Sequence, residues 1–103
     1  MNLIRQISTL PRTIASDVIS RQLLRSGTSI GANYREANRA VSGPDFANKI
    51  GTVQKEASET QYWIELLQES EIDTSSKMAD LHREATELLA IFTAIGKKVK
   101  SGN

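Results

Sequence analysis

The 103-residue chain has no cysteine, two prolines, one histidine and five aromatic residues (two Phe, two Tyr and one Trp). The lack of cysteine excludes disulfides and thiolate metal sites, and it fits the reducing cytoplasm, which is the expected location. With so few aromatics the core must be built from Leu, Ile, Val and Ala. No apolar run approaches the roughly 18 to 20 residues needed to span a bilayer, so no membrane role is expected. Residues 1–10, MNLIRQISTL, carry one charge and no small-residue cleavage site, so a signal peptide is not expected either.

Catalytic signatures are missing too. No G-x-S-x-G elbow, phosphate-binding G-x-x-x-x-G-K-[ST] loop or G-x-G-x-x-G turn occurs. A di-iron bundle needs Glu-x-x-His pairs, yet the residue three before His82 is Ala79. Glu84 and Glu87 near a single histidine do not make a metal site. The sequence therefore predicts a non-enzymatic protein with no catalytic residue, metal, cofactor or small-molecule substrate.

Charge is segregated along the chain. Residues 1–41 hold six arginines against two acids and carry +4. Residues 42–72 carry −4, and residues 73–103 carry +1, with Lys97, Lys98 and Lys100 near the end. Opposite charge on successive segments favours contacts between elements or between subunits.

The hydrophobic period is helical throughout. Phe46, Ile50, Val53, Ala57, Thr60, Ile64 and Leu67 recur at spacings of four and three, as do Met78, Leu81, Ala85, Leu88, Phe92, Ile95 and Val99. Such seams pack helices nearly parallel or antiparallel, crossing near +20°. Leu23, Gly27, Ile30, Tyr34, Ala37 and Val41 mark another helix, and Leu3, Ile7 and Leu10 a short first one. No strand alternation competes. Pro11 and Pro44 sit where helices can begin, Ser42 and Asp45 read as a capping box, and Asp73 as the N-cap of the last helix. The expectation is one all-α domain, an antiparallel up-and-down four-helix bundle with helices over about 2–9, 12–41, 44–71 and 74–99. The first helix is too short to cover a bundle edge. Either the chain starts inside that helix, or a neighbouring subunit supplies the missing cover. Residues 101–103 are expected to fray.

The most informative stretch is Arg25 to Ala37, RSGTSIGANYREA. Two glycines in a helix interior cost about 1 kcal/mol each relative to alanine, so close approach of a neighbouring backbone is expected there. Gly27 and Gly31 have small-xxx-small spacing, which in so polar a helix argues for soluble close packing. The text RQLLRSGTSIGANYREANRA, followed by DFANKI and EASETQYWIELL, resembles the family of proteins associated with intervening sequences in bacterial 23S ribosomal RNA genes. Arg25, Ser26, Ser29, Ile30, Ala32, Asn33, Glu36 and Ala37 carry the resemblance in the second helix. It implies a four-helix bundle assembled as a ring-like homopentamer. It also implies kinship with the accessory proteins of diversity-generating retroelements, which engage a reverse transcriptase and nucleic acid.

Three groups of residues are candidates for function. Arg21, Arg25, Arg35 and Arg39 fall within about 80° of one another on the second helix, with Thr28 and Ala32 between them. They form a basic stripe for RNA, DNA or an acidic partner, or else a solvated face, or a face paired with the acidic third helix of the same or another subunit. Lys97, Lys98 and Lys100 could extend that surface, or they could serve the helix dipole and solubility. Ser26, Ser29, Asn33 and Glu36 are expected to form a structural polar network that sets helix register. Tyr62 and Trp63 fit core or interface better than base stacking. The functional expectation is an oligomeric interaction module that binds nucleic acid or a reverse transcriptase. The alternative is a structural or protein-binding homo-oligomer without nucleic-acid affinity.

Overall fold

A computed structural model describes residues 1–100; the expected fraying of 101–103 lies outside them. Four helices follow one another: α1 (Leu3–Ile7), α2 (Ile14–Ala37), α3 (Gly43–Glu69) and α4 (Ser76–Lys100). There is no strand among the described residues. The molecule is an elongated bundle of 46 × 19 × 18 Å.

Helix ends follow local capping chemistry. α2 begins later than Pro11 because Thr13, extended at φ −117° and ψ 163°, accepts the Ser16 N–H on its hydroxyl at 3.2 Å. It also stops at Ala37, short of the expected 41. The amides of Arg39 and Ala40 bond back to Glu36 and Ala37 at 3.0 and 3.1 Å in a tighter turn, so Arg39 and Val41 lie beyond the helix. Ser42 caps α3 as expected, accepting the Asp45 N–H at 3.1 Å. Asp45 closes the motif one residue earlier than a capping box does, accepting the Val41 amide at 3.3 Å. The last helix corrects the assignment of Asp73 as its cap. Ser75 is the residue whose hydroxyl accepts the Met78 N–H, at 3.2 Å. The Asp73 carboxylate instead accepts from the Ser75 amide at 2.9 Å and from Gln6 Nε2 of α1 at 2.8 Å.

α3 is the central helix. It packs along α2 on one side and α4 on the other, while no Cα of α2 comes within 8 Å of one in α4. α1 touches both helices and fills that gap at one end, with Leu3 seated over Gly27. At the other end the rings of Tyr34 and Phe92 meet edge to face, 5.4 Å between centroids. The core has two parts. Leu3, Leu10, Leu23, Ile64, Leu67, Met78, Leu81 and Ala85 form one, and Ile30, Ala37, Ile50, Val53, Ala57 and Phe92 the other. Between them in the α2–α3 seam lies a buried pair of hydroxyls, Ser26 and Thr60, 2.9 Å apart.

The glycine expectation holds at one position and fails at the other. A Cβ on Gly27 would collide with the Leu3 side chain, so the close approach comes from a side chain of α1 and not from a backbone. Nothing lies within 4 Å of the place where a Gly31 Cβ would sit.

Candidate functional site

Helix geometry places the arginine stripe on the side of α2 that faces away from the core. The buried residues of α2 are Ser16, Leu23, Ser26, Ile30 and Ala37. Ile14, Val18, Arg21, Arg25, Thr28, Ala32 and Arg35 occupy the opposite side, at spacings of four and three, and every one is exposed. Ile14 keeps 86% and Val18 50% of its surface in solvent. This row has an apolar end, a small middle and a cationic remainder, and exposed Glu36, five turns after Val18, shares its face.

The structure separates the four arginines. Arg25 lies across the α2–α3 seam, with Nη2 2.6 Å from Glu59 Oε1 and Nη1 3.2 Å from Glu56 Oε2. Glu56 is nearly buried, so the arginine neutralises a carboxylate that has lost much of its water. Arg25 is thus paired within its own chain, while its side chain stays about half exposed at 48%. Arg21 and Arg35 are exposed on α2, Arg39 is exposed in the turn after it, and none of the three makes an ion pair among the described residues. Lys97, Lys98 and Lys100 lie in the last turn of α4, all exposed, where they complement the negative end of the helix dipole.

The four residues expected to form a polar network do not bond to one another as a group. Ser26 is buried and meets Thr60 across the seam while donating to its own helix at Leu23 O, 3.3 Å away. Asn33 donates to the carbonyl of Ser29 at 2.9 Å within α2. Glu36 is exposed. The cross-helix partner missed in the sequence is Thr60, which reads there as one more position of an apolar seam. Its hydroxyl also approaches Glu56 O at 2.8 Å, the back-bonding that lets threonine sit inside a helix.

α3 also presents an outward row, opposite its buried residues: Lys55, Ser58, Tyr62, Glu65 and Glu69. Tyr62 is 52% exposed, and its ring packs edge to face on Trp63, which leans against the first core cluster. The Trp63 indole N–H has no partner among the described residues. The Glu65 carboxylate accepts from His82 Nε2 of α4 at 2.8 Å, so the lone histidine joins α3 to α4 and does not pair with Glu84 or Glu87. One carboxyl is set apart by its environment. Burial pushes the Asp73 carboxyl up, but the Ser75 hydroxyl, the Gln6 amide and the Ser75 backbone N–H together hold it below the ordinary aspartate value.

Surface clefts flank α1. One, of about 360 Å³, lies at the α1–α2 corner beside Arg12, Asp17 and Arg21. Another, of about 490 Å³, lies in the open part of the gap between α2 and α4, along Met1, Ile4, Gly31 and Leu88. Among the described residues no group of His, Asp and Glu is placed to hold a metal ion, and no helix is long and apolar enough to cross a membrane.

A search of curated proteins returns no match. Among solved structures, a protein of unknown function from the S23 ribosomal protein family of Bacteroides thetaiotaomicron VPI-5482 is 41% identical. It superimposes with a TM-score of 0.83, the match covering 92% of this chain and 88% of that one. Residues 1–94 match the family described as 23S rRNA-intervening sequence protein. With the all-helical bundle, its short first helix and the RSGTSIGANYREA stretch in α2, the chain belongs to the 23S rRNA-intervening sequence protein family.

Proposed function

We propose that this protein is a non-enzymatic interaction module that assembles with copies of itself through the outward row of α2, with a cytoplasmic homopentamer as the favoured form. The observation that carries the reading is the composition of that row. A solvated helix face ordinarily mixes both signs of charge, as α4 does with Asp80 and Arg83 bonded at 2.6 Å. The α2 row is instead one-sided, three arginines against the one exposed acid on its face, Glu36; it leaves Ile14 and Val18 half or more in water and puts the small Thr28 and Ala32 at its centre. Small residues flanked by cations and apolar side chains let another helix approach closely. The way Arg25 already pairs with acids of α3 within the chain supports protein–protein pairing for the arginines of this face.

The test is Ala32→Arg, an exposed substitution that keeps the helix propensity high and adds bulk at the centre of the row. Light scattering should show the wild-type oligomer reduced to single chains of 11.4 kDa while the helical circular dichroism is retained. An unchanged mass for Ala32→Arg contradicts the reading.

A second reading, binding of RNA, DNA or a nucleic-acid enzyme such as a reverse transcriptase, is favoured by the three arginines without ion-pair partners, Arg21, Arg35 and Arg39. Binding of this kind falls steeply with salt. It predicts measurable affinity for structured RNA at low ionic strength, lost in the Arg35→Ala, Arg39→Ala double variant. No affinity at low salt removes it.

A further inference from the structure

We infer that the outward row of α2 seats the outward row of α3 from a second copy of this chain. The inference rests on the self-assembly proposed above and names the two surfaces that meet. The first argument is charge. Arg21 and Glu69 are both exposed and neither has an ion-pair partner among the described residues, so each remains available to the other across an interface. The second is shape. α3 carries the exposed aromatic Tyr62, and α2 offers small residues at Thr28 and Ala32. A protruding ring over a small-residue stretch is a knob over a hole.

Symmetry then fixes direction and register. The two rows are different surfaces, so their contact is heterologous, and repetition closes into a ring if the rotation allows. Within one chain α2 and α3 run antiparallel, since Arg25 meets Glu59 and Ser26 meets Thr60. In a ring whose axis follows the bundle, α2 of one copy and α3 of the next must also run antiparallel. Setting Arg21 opposite Glu69 then brings Arg25 over Glu65, Thr28 over Tyr62 and Ala32 over Ser58. Arg35 falls opposite Lys55, so the attraction is confined to the N-terminal half of α2 and the far end is held apart. The exposed basic turn at Arg39 is left outside the contact.

Because the chain has no cysteine, any disulfide reports on the introduced residues alone. Thr28→Cys and Tyr62→Cys are made separately, mixed, and oxidised under conditions in which light scattering shows the wild type associated. A cross-linked dimer should form in the mixture and be absent from either variant alone, since bridging needs the two Cα atoms within about 7 Å. A second experiment reverses charge. Arg21→Glu should weaken association at least tenfold, and Glu69→Arg added in the same chain should restore it. An associated wild type whose mixture gives no cross-link, or whose Thr28→Cys variant links to itself, overturns this interface while leaving self-assembly standing. Failure of the second substitution to restore association does the same. A monomeric wild type overturns the self-assembly reading itself.

Discussion

At the residue scale, Glu71 is the one non-glycine residue with positive φ among those described, at 60°. It sits one place beyond the C-cap of α3, where the Ile72 N–H bonds to Leu67 O at 3.0 Å and its own N–H to Gln68 O at 3.1 Å, the pairing of a Schellman motif. A left-handed glutamate strains that turn, so Glu71→Gly should stabilise the protein by about 0.5–1 kcal/mol, read as a higher urea midpoint with an unchanged slope. The glycines of α2 should respond in opposite directions. Gly31→Ala gains helix propensity in open space, about 0.5–1 kcal/mol. Gly27→Ala forces the buried Leu3 out of place and should lose roughly 1 kcal/mol despite the same gain. All comparisons need equal chain concentration, because association shifts apparent stability. The two glycines look alike in sequence. What separates them is the path of α1, set by contacts across the chain that a local pattern does not encode.

Asp73 makes a pH prediction of definite sign. Its folded-state value is depressed, so its contribution to stability is complete above the unfolded value near 3.8 and is lost as pH falls through the folded value below it. Urea midpoints at pH 5 and pH 3 should therefore differ more for the wild type than for Asp73→Asn. An equal fall in both would show that the Gln6 and Ser75 bonds add no charge-dependent stability.

At the element scale, α3 and α4 were readable from their three–four seams, because both bury a continuous apolar face. The ends were less so. α2 loses its predicted first and last residues to Thr13 capping and to the Arg39–Ala40 turn, and several polar residues near each end could have served as a cap. The seam between α2 and α3 carries the other lesson. Ser26 was visible as a polar residue that needs a partner, but Thr60 was hidden in an apolar register, so the pair emerges only in three dimensions. Thr60→Val should cost about 1 kcal/mol, because the buried Ser26 hydroxyl loses its cross-helix partner. Ser26→Ala combined with it should cost less than the sum of the two singles, a non-additivity measurable by a double-mutant cycle. Additive costs would mean that the pair makes no coupled contribution.

For the whole molecule, the charge segregation seen along the chain becomes a spatial arrangement. Some of it is spent inside the chain, where Arg25 of the basic half meets Glu56 and Glu59 of the acidic half. The rest stays on outward faces, cationic on α2 and acidic toward the C-terminal end of α3. Sequence alone placed the four arginines on one face but could not say which of them folding would neutralise, since that depends on which acids of α3 come within reach. A single chain, with α2 and α4 held apart and only a five-residue helix between them at one end, leaves more surface uncovered than a closed four-helix bundle does. Association is the arrangement this account predicts for it. The most direct measurement is the molar mass of the wild-type protein in solution by light scattering on a sizing column. A mass about five times the 11.4 kDa chain is the predicted result, and a single chain at micromolar concentration and low salt would contradict the account.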